Sequence, residues 1–449
     1  MQIHRKTTCR PTRLFGMVFC LLLATSSMAD EKQTFTPLED AESVKVLAQV
    51  YERLANMHGI AVENAITAYT LDNPTLEHIV RESFATQYPP KRQHAMEVLL
   101  KSLEIIPRDM DILEMYLSLL SEQVGGLYDP HSRRFFVRES YNVAESSMAR
   151  AILAHEIIHS LQDQVYDLVA MGVESSTNDD KALAVLAIAE GDAMHGMSEY
   201  TARFEASGIL GDLPEALSMD QSALRSTPHF FQQMLIWPYI DGQVFIQRAM
   251  KTGDDWRDRI FTDPPRTTEQ IMHPEKYFGE RDHPTTVSLL TEKESVLEEL
   301  KKLGDIDMPE NLAEKYDLHE KNRFGEIGTR LILETHLGTG IATVAAAGWD
   351  GDAYAIYKMP QSDHSAEHAR WAIVWETVWD SPGDASEFVG AWVTVWRSIT
   401  GERSLGSLSK EKQTFKAGDW HVTVHRDVQR VVTYWQNSSH NSAAATLDN

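Results

Sequence analysis

A chain of 449 residues, 43% of them hydrophobic and without repeats or low-complexity bias, can bury a sizeable core and divide into two or three domains. That excludes disordered, collagen-like and solenoid architectures. A formal charge of −24 argues against nucleic acid and anionic membrane as partners and describes a solvated acidic surface.

The first 29 residues read as a secretory signal. Arg5, Lys6, Arg10 and Arg13 give a positive start, residues 14–24 are mostly apolar but short for a span, and Ser27-Met28-Ala29 offers small residues before Asp30. An uncleaved anchor is the alternative, and the bulky Phe19 before Cys20 argues against a lipid attachment site. Removing the segment takes away four basic residues and no acid, which leaves a charge of −28. It also takes both cysteines, Cys9 and Cys20, so neither disulfides nor thiolate ligands are expected in the mature chain. No later run is long and apolar enough to cross a bilayer. The expectation is a periplasmic or secreted protein with no stable membrane insertion.

Residues 30–121 read as a helical N-terminal region. Apolar residues recur at three- and four-residue steps over 41–57 (Val44, Leu47, Val50, Tyr51, Leu54), and further helical runs cover 76–85, 91–105 and 109–120. Pro74, Pro89, Pro90 and Pro107 punctuate them. Two short β-prone runs within 124–137 then flank Asp129-Pro130-His131-Ser132 and predict a hairpin.

Residues 147–164 form the next helical run, with Ile152, Ile157, Ile158 and Leu161 on its apolar side and no Gly or Pro. His155 and His159 lie four residues apart, one turn above each other on one face, so both imidazoles can aim at a single metal ion. Imidazole nitrogen suits Zn²⁺. Glu156, rotated off that axis, can hold a water instead of the metal, the division of labour of the His-Glu-x-x-His pattern. The plain alternative is an amphipathic helix with two solvent-facing histidines. A third ligand weighs against it: Glu190 lies in a second apolar helical run, 182–197, where a buried carboxylate needs a partner. Two histidines and one glutamate leave a fourth position open, as catalytic rather than structural zinc sites do.

With these residues the chain resembles the gluzincin-type zinc metallopeptidases. The wording Glu190-Gly191-Asp192-Ala193 is typical of peptidase-like exported proteins in that clan. Pro238-Tyr239-Ile240-Asp241-Gly242 is similar to the Pro-Tyr-x-x-Gly segment of the aminopeptidase branch, and residues 264–277, from Pro264-Pro265-Arg266-Thr267-Thr268-Glu269-Gln270 to His273-Pro274-Glu275-Lys276-Tyr277, are similar to a block of the unassigned relatives. The resemblance spans residues 125–277, with fainter echoes at 348–352.

The resemblance implies a zincin-like fold and one Zn²⁺ per chain, held by His155, His159 and Glu190. Glu156 would be the general base and Tyr239 would stabilise the oxyanion. Because a strand just before the metal helix lines the cleft in such peptidases, Gly126, Leu127 and Tyr128 are candidates for substrate contact. His273 either donates to a substrate oxygen or pairs with Glu275, and Asp163 or Asp192 would orient a ligand imidazole from behind. Two departures stand out. Met194 occupies the place where gluzincins often carry an Asp, four residues after the ligand Glu, and the Gly-x-Met-x-Asn anchor of the aminopeptidases is missing. The second favours an endopeptidase. A catalytically silent zincin-like protein that binds an envelope partner or peptide is the main alternative, and a protein in which zinc only fixes the fold is another.

Further along, residues 228–252 read as a helix carrying Tyr239, and 267–273 as a short helix capped by Thr267 or Thr268. Residues 289–303 read as a charged helix, 304–309 as a linker and 324–337 as a helix. Strands at 353–357, 371–379, 420–425 and 430–435 with a helix at 385–399 predict a C-terminal α+β domain whose tryptophans are core rather than a carbohydrate platform. The expected class is mainly α with smaller β parts. The expected division is a signal (1–29), a helical region (30–121), a zincin-like catalytic domain (122–284) and an α+β domain (285–449).

Overall fold

The computed structural model describes residues 35–61, 67–173, 177–218, 221–287, 317–358, 370–401 and 411–437. The signal segment, the 289–303 helix and the 304–309 linker lie outside the described residues. The chain is mainly α with smaller β parts.

The N-terminal helices, Ala41–His58, Asn73–Gln87, Pro90–Ser102 and Ile112–Gln123, lie close to their predicted positions. Three of them begin at an aspartate whose carboxylate accepts a free first-turn N–H: Asp40 from Ser43, Asp72 from Thr75 and Asp111 from Glu114, at 2.8, 2.8 and 3.1 Å. The region is not wholly helical. A four-residue strand, β1 (Ala68–Leu71), too short to display a period, pairs in parallel with the second strand of the predicted hairpin. That hairpin is β2 (Gly126–Asp129) and β3 (Arg134–Arg138), and the sheet order is β1-β3-β2. β2 is therefore an edge strand.

Three helices frame the predicted site: Ser147–Tyr166 (the histidine helix), Asp179–Tyr200 (the Glu190 helix) and His229–Ala249 (the Tyr239 helix). Ser146 caps the first by accepting from Ala149 N–H, and Asn178 caps the second by accepting from Lys181 N–H, both at 3.0 Å. The Glu190 and Tyr239 helices cross backbone to backbone at two glycines. A Cβ on Gly191 would collide with the Gly242 carbonyl, and one on Gly242 with the Ala187 carbonyl. A π-turn, Thr201–Glu205, ends the Glu190 helix and brings Glu205 against Arg150 of the histidine helix in a two-pronged ion pair of 2.8 and 2.7 Å.

The C-terminal part is an antiparallel sheet of β4 (Asp317–Asn322), β5 (Trp349–Lys358), β6 (Trp371–Trp379), β7 (Lys412–Ala417), β8 (Trp420–Asp427) and β9 (Arg430–Asn437), ordered β4-β5-β6-β9-β8-β7. Residues four apart share a face of a strand and stack on one side of a helix. Trp375 of β6 thus meets Trp392 of the helix Pro382–Thr400 edge-on at 5.1 Å, and Trp396, one turn on, meets Trp435 of β9 at 5.7 Å. These tryptophans are buried core. The core is continuous across residues 122 and 285: Leu99, Ile188, Phe245, Leu331, Trp375 and Trp435 all belong to it.

Candidate metal centre

The histidine and Glu190 helices pack side by side, so one turn of each supplies the three predicted ligands. His155 Nε2 lies 2.9 Å from Glu190 Oε2, His159 Nε2 3.0 Å from His155 Nε2, and His159 Nε2 3.4 Å from Glu190 Oε2. Each residue is at most 1% exposed. Zinc with bonds of about 2.0–2.2 Å in tetrahedral geometry needs donors about 3.3 Å apart, so these atoms need shift only by tenths of an ångström. Glu190 Oε1 is buried and has no hydrogen-bond partner among the described residues, a costly position for a carboxylate oxygen unless a cation sits beside it. On both counts the residues fit zinc.

The electrostatics centre on the His159–Glu190 pair. Burial pulls the His159 imidazole down, but the Glu190 carboxylate and its hydrogen bond outweigh burial and raise its pKa to about 9. Burial pushes Glu190 up, yet the two histidines, His159 foremost, bring it to about 2. A proton on His159 thus holds the charge balance that a metal ion would take over.

Glu156, one residue past His155, turns away from the ligand cluster as a 100° step requires, and its Oε2 accepts the Tyr128 N–H of β2 at 2.9 Å. Gly126 lies over the same side chain, with its Cβ position 3.3 Å from Glu156 Cγ. Alternation along β2 sends Leu127 the other way, into a cluster with Leu120 and Phe136. Of the three expected substrate contacts, Gly126 and Tyr128 therefore reach the site and the Leu127 side chain does not. Tyr239 is 4% exposed and its ring stacks beside His155, with centroids 5.9 Å apart.

Other expected roles need correction. Asp163 does not orient an imidazole: it accepts from Tyr128 Oη at 2.9 Å and from Leu168 N–H at 3.0 Å, beyond the end of the histidine helix. Asp192 does not touch a ligand either, since its carboxylate meets Gln162 and Arg257. The group behind His159 is Gln162, whose Oε1 lies 2.9 Å from His159 Nδ1. Sequence reasoning missed it, although position i+3 on the same helix face was the available signal. His273 is drawn to Glu326 of the helix Gly325–Leu337, Nε2 to Oε1 2.9 Å, with Glu275 only at 4.0 Å, and joins no ligand of the trio. A second carboxylate group, Glu269, Asp282 and Asp380, has its own cation: Lys276 Nζ reaches all three, at 2.6, 2.9 and 2.7 Å. Thr267 is the cap of the helix Thr268–Met272, accepting from Gln270 N–H.

The model of one family, a domain of unknown function (DUF8575), matches residues 314–445, the C-terminal sheet and its helices, and stops short of the metal-site residues. No curated protein and no solved structure matches the chain. No helix among the described residues is long and apolar enough to cross a membrane.

Proposed function

We propose that the chain is an exported zinc-dependent metallopeptidase that cleaves within peptide or protein substrates. One observation carries the reading: His155, His159 and Glu190 bring one donor atom each to a single buried point, and the second Glu190 oxygen, also buried, has no hydrogen-bond partner among the described residues. Zinc held by these three residues supplies Lewis acidity and lowers the pKa of water towards neutrality. Glu156 takes the proton of the attacking water and delivers it to the leaving amine. The Tyr239 hydroxyl steadies the developing oxyanion, a contribution of a few kcal/mol, roughly, at comparable sites. As an edge strand, β2 would offer main-chain pairing to an extended substrate once the buried site opens.

A second reading, a silent zincin-like protein that binds an envelope partner or peptide, is favoured by the burial of the site: Glu156 is 0% exposed and Tyr239 4%. A carbonyl reaches the ligands only after something opens. Glu156→Gln separates the two. With hydrolysis of casein or a peptide library as the assay, it should keep about one zinc per chain and lose activity, while His159→Ala should lose the zinc. Equal inactivity of zinc-loaded wild type and Glu156→Gln supports the binding protein. A folded wild-type chain that takes up no zinc overturns both.

A further inference from the structure

The buried atoms behind His159 form a chain of hydrogen bonds whose direction is fixed by what each atom can do. Gln162 Nε2 lies 3.0 Å from the Ala189 carbonyl oxygen and 3.0 Å from Asp192 Oδ2. Both are acceptors, so the amide must present its NH₂ to them, and both of its hydrogens are used. Its oxygen is then the end that faces His159 Nδ1 at 2.9 Å, and an oxygen can only accept. Nδ1 must therefore carry a hydrogen in either charge state, so the proton that a metal displaces is the one on Nε2, and the neutral ring turns its lone pair towards His155 and Glu190. A flipped amide would set NH₂ against an N–H and oxygen against two oxygens.

The partner that holds the amide in that orientation, Asp192, is itself held from behind. Asp192 is fully buried, and its sole cation among the described residues is Arg257, whose Nε and Nη2 approach Oδ1 at 3.1 and 2.9 Å while Nε also reaches Oδ2 at 3.2 Å. The nearby His58 does not compete for the carboxylate, because burial and then the Arg257 charge depress its own protonation. Arg257 comes from a separate helix, Trp256–Thr262, and lies over the Trp256 ring with its guanidinium carbon 4.6 Å from the centroid. Its side chain is 23% exposed, so the chain of bonds runs from near the surface to the metal ligand.

We propose that Arg257 and Asp192 are positioning residues that act through Gln162 to hold His159 in the one tautomer able to ligate a metal through Nε2. This relay rests on the zinc reading above, and its tests separate the two.

The experiment is a zinc-affinity cycle on the full chain, with folding checked by circular dichroism. Gln162→Met, close in shape but without an amide, should weaken zinc binding about 10- to 100-fold, the usual effect of removing a ligand's orienting partner. Arg257→Lys keeps the charge and loses the fork, and should weaken zinc several-fold in the wild-type background. In the Gln162→Met background it should do nothing more, because its route to His159 is already cut. Equal losses in both backgrounds, or wild-type affinity in folded Gln162→Met, overturn the relay while leaving the zinc site standing. A wild-type chain without zinc affinity overturns the zinc reading and the relay with it. Nitrogen-15 NMR of the zinc-loaded wild type needs no variant: His159 should show a slowly exchanging Nδ1–H, and metal on Nδ1 refutes the inference.

Discussion

The crossing of the Glu190 and Tyr239 helices makes a prediction that runs against helix propensity. Gly242→Ala replaces the poorer helix former with the better one in mid-helix, which alone would stabilise by up to about 1 kcal/mol. The new methyl has no room. It overlaps the Ala187 carbonyl and lies 3.2 Å from Gly191 N, and all of these are backbone atoms that cannot rotate away. Relief requires the two helices to part by about 1.5 Å, to reach an ordinary carbon–oxygen contact of ~3.5 Å. Their seam is buried, with Ala187, Ile188, Phe245 and Ile246 at 0% exposure, so parting them opens a void along it. Overpacking of this kind costs about 1–3 kcal/mol, and the lost contacts add to it, so the net loss should be about 2 kcal/mol. The control is Gly390→Ala, inside the helix Pro382–Thr400, where nothing lies within 4 Å of the new methyl. It should stabilise by roughly 0.5–1 kcal/mol. Urea unfolding followed by far-ultraviolet circular dichroism reads both, and the zinc content of Gly242→Ala should fall because Gly191 adjoins Glu190. If both alanines move the midpoint the same way, the close crossing is not what the glycines are for.

Three other outcomes are expected. Because Glu190 raises His159 to about 9, zinc must displace a proton at neutral pH: uptake should release about one proton per chain at pH 7, and apparent affinity should rise roughly tenfold per unit up to about pH 9. Calorimetry in buffers of different ionisation heat measures this, and uptake without proton release at pH 7 contradicts it. In the metal-free chain the same pair stabilises fully below the ordinary histidine pKa of about 6.5 and loses its contribution as pH rises through about 9. Asp180 is wholly buried, and burial raises its carboxyl to about 7, so the folded chain loses stability as pH rises from about 4 to 7. Asp180→Asn lacks that titration, and its stability relative to wild type in urea should be higher at pH 8 than at pH 5; a gap independent of pH would count against it. Finally, a chain ending before residue 314 should lack a fixed near-ultraviolet spectrum and bind a hydrophobic dye, since Ile188 and Phe245 lose the Leu331 and Trp375 side of their core; a cooperative unfolding transition in that fragment would show otherwise.

What the sequence made legible follows its periodicities. The long helices, the hairpin before the histidine helix and the four central or apolar strands carried clear three-and-four or alternating patterns. β4 and β7 did not, because they are the edges of the sheet and are written with residues such as Asp317, Lys321, Lys412 and Lys416, which keep an open edge from pairing with another chain. At the site, fixed spacing gave the ligands and Glu156, since four residues on a helix is geometry in itself. Contacts between distant segments left no such trace. Asp192 and Arg257 are 65 residues apart, and nothing local distinguishes the fork they make from a surface pair. Gln162 is an ordinary helix residue until its neighbours fix which way its amide points.

The block from Pro264 to Tyr277 shows how a motif can belong to a site without touching it. Thr268 gives both its N–H and its hydroxyl to Asp180, at 2.8 and 2.6 Å, in the first turn of the Glu190 helix. Gly325, at φ +67, packs so closely on the same carboxylate that no side chain fits there, and its N–H goes to Asp352 of β5 at 3.0 Å. The neighbouring Asp179 accepts Arg92 Nη2, from an N-terminal helix, on both of its carboxylate oxygens and gives its N–H to Asn322 of β4. The start of the helix that carries Glu190 is therefore bonded to the N-terminal region, to the Thr268 block and to the domain that the DUF8575 model matches. A helix anchored at its first turn and crossed closely at Gly191 has little freedom to slide or rotate. The position of the Glu190 carboxylate over the two imidazoles is thus a property of the whole chain, and residues far from the ligands are under the same physical constraint as the ligands themselves.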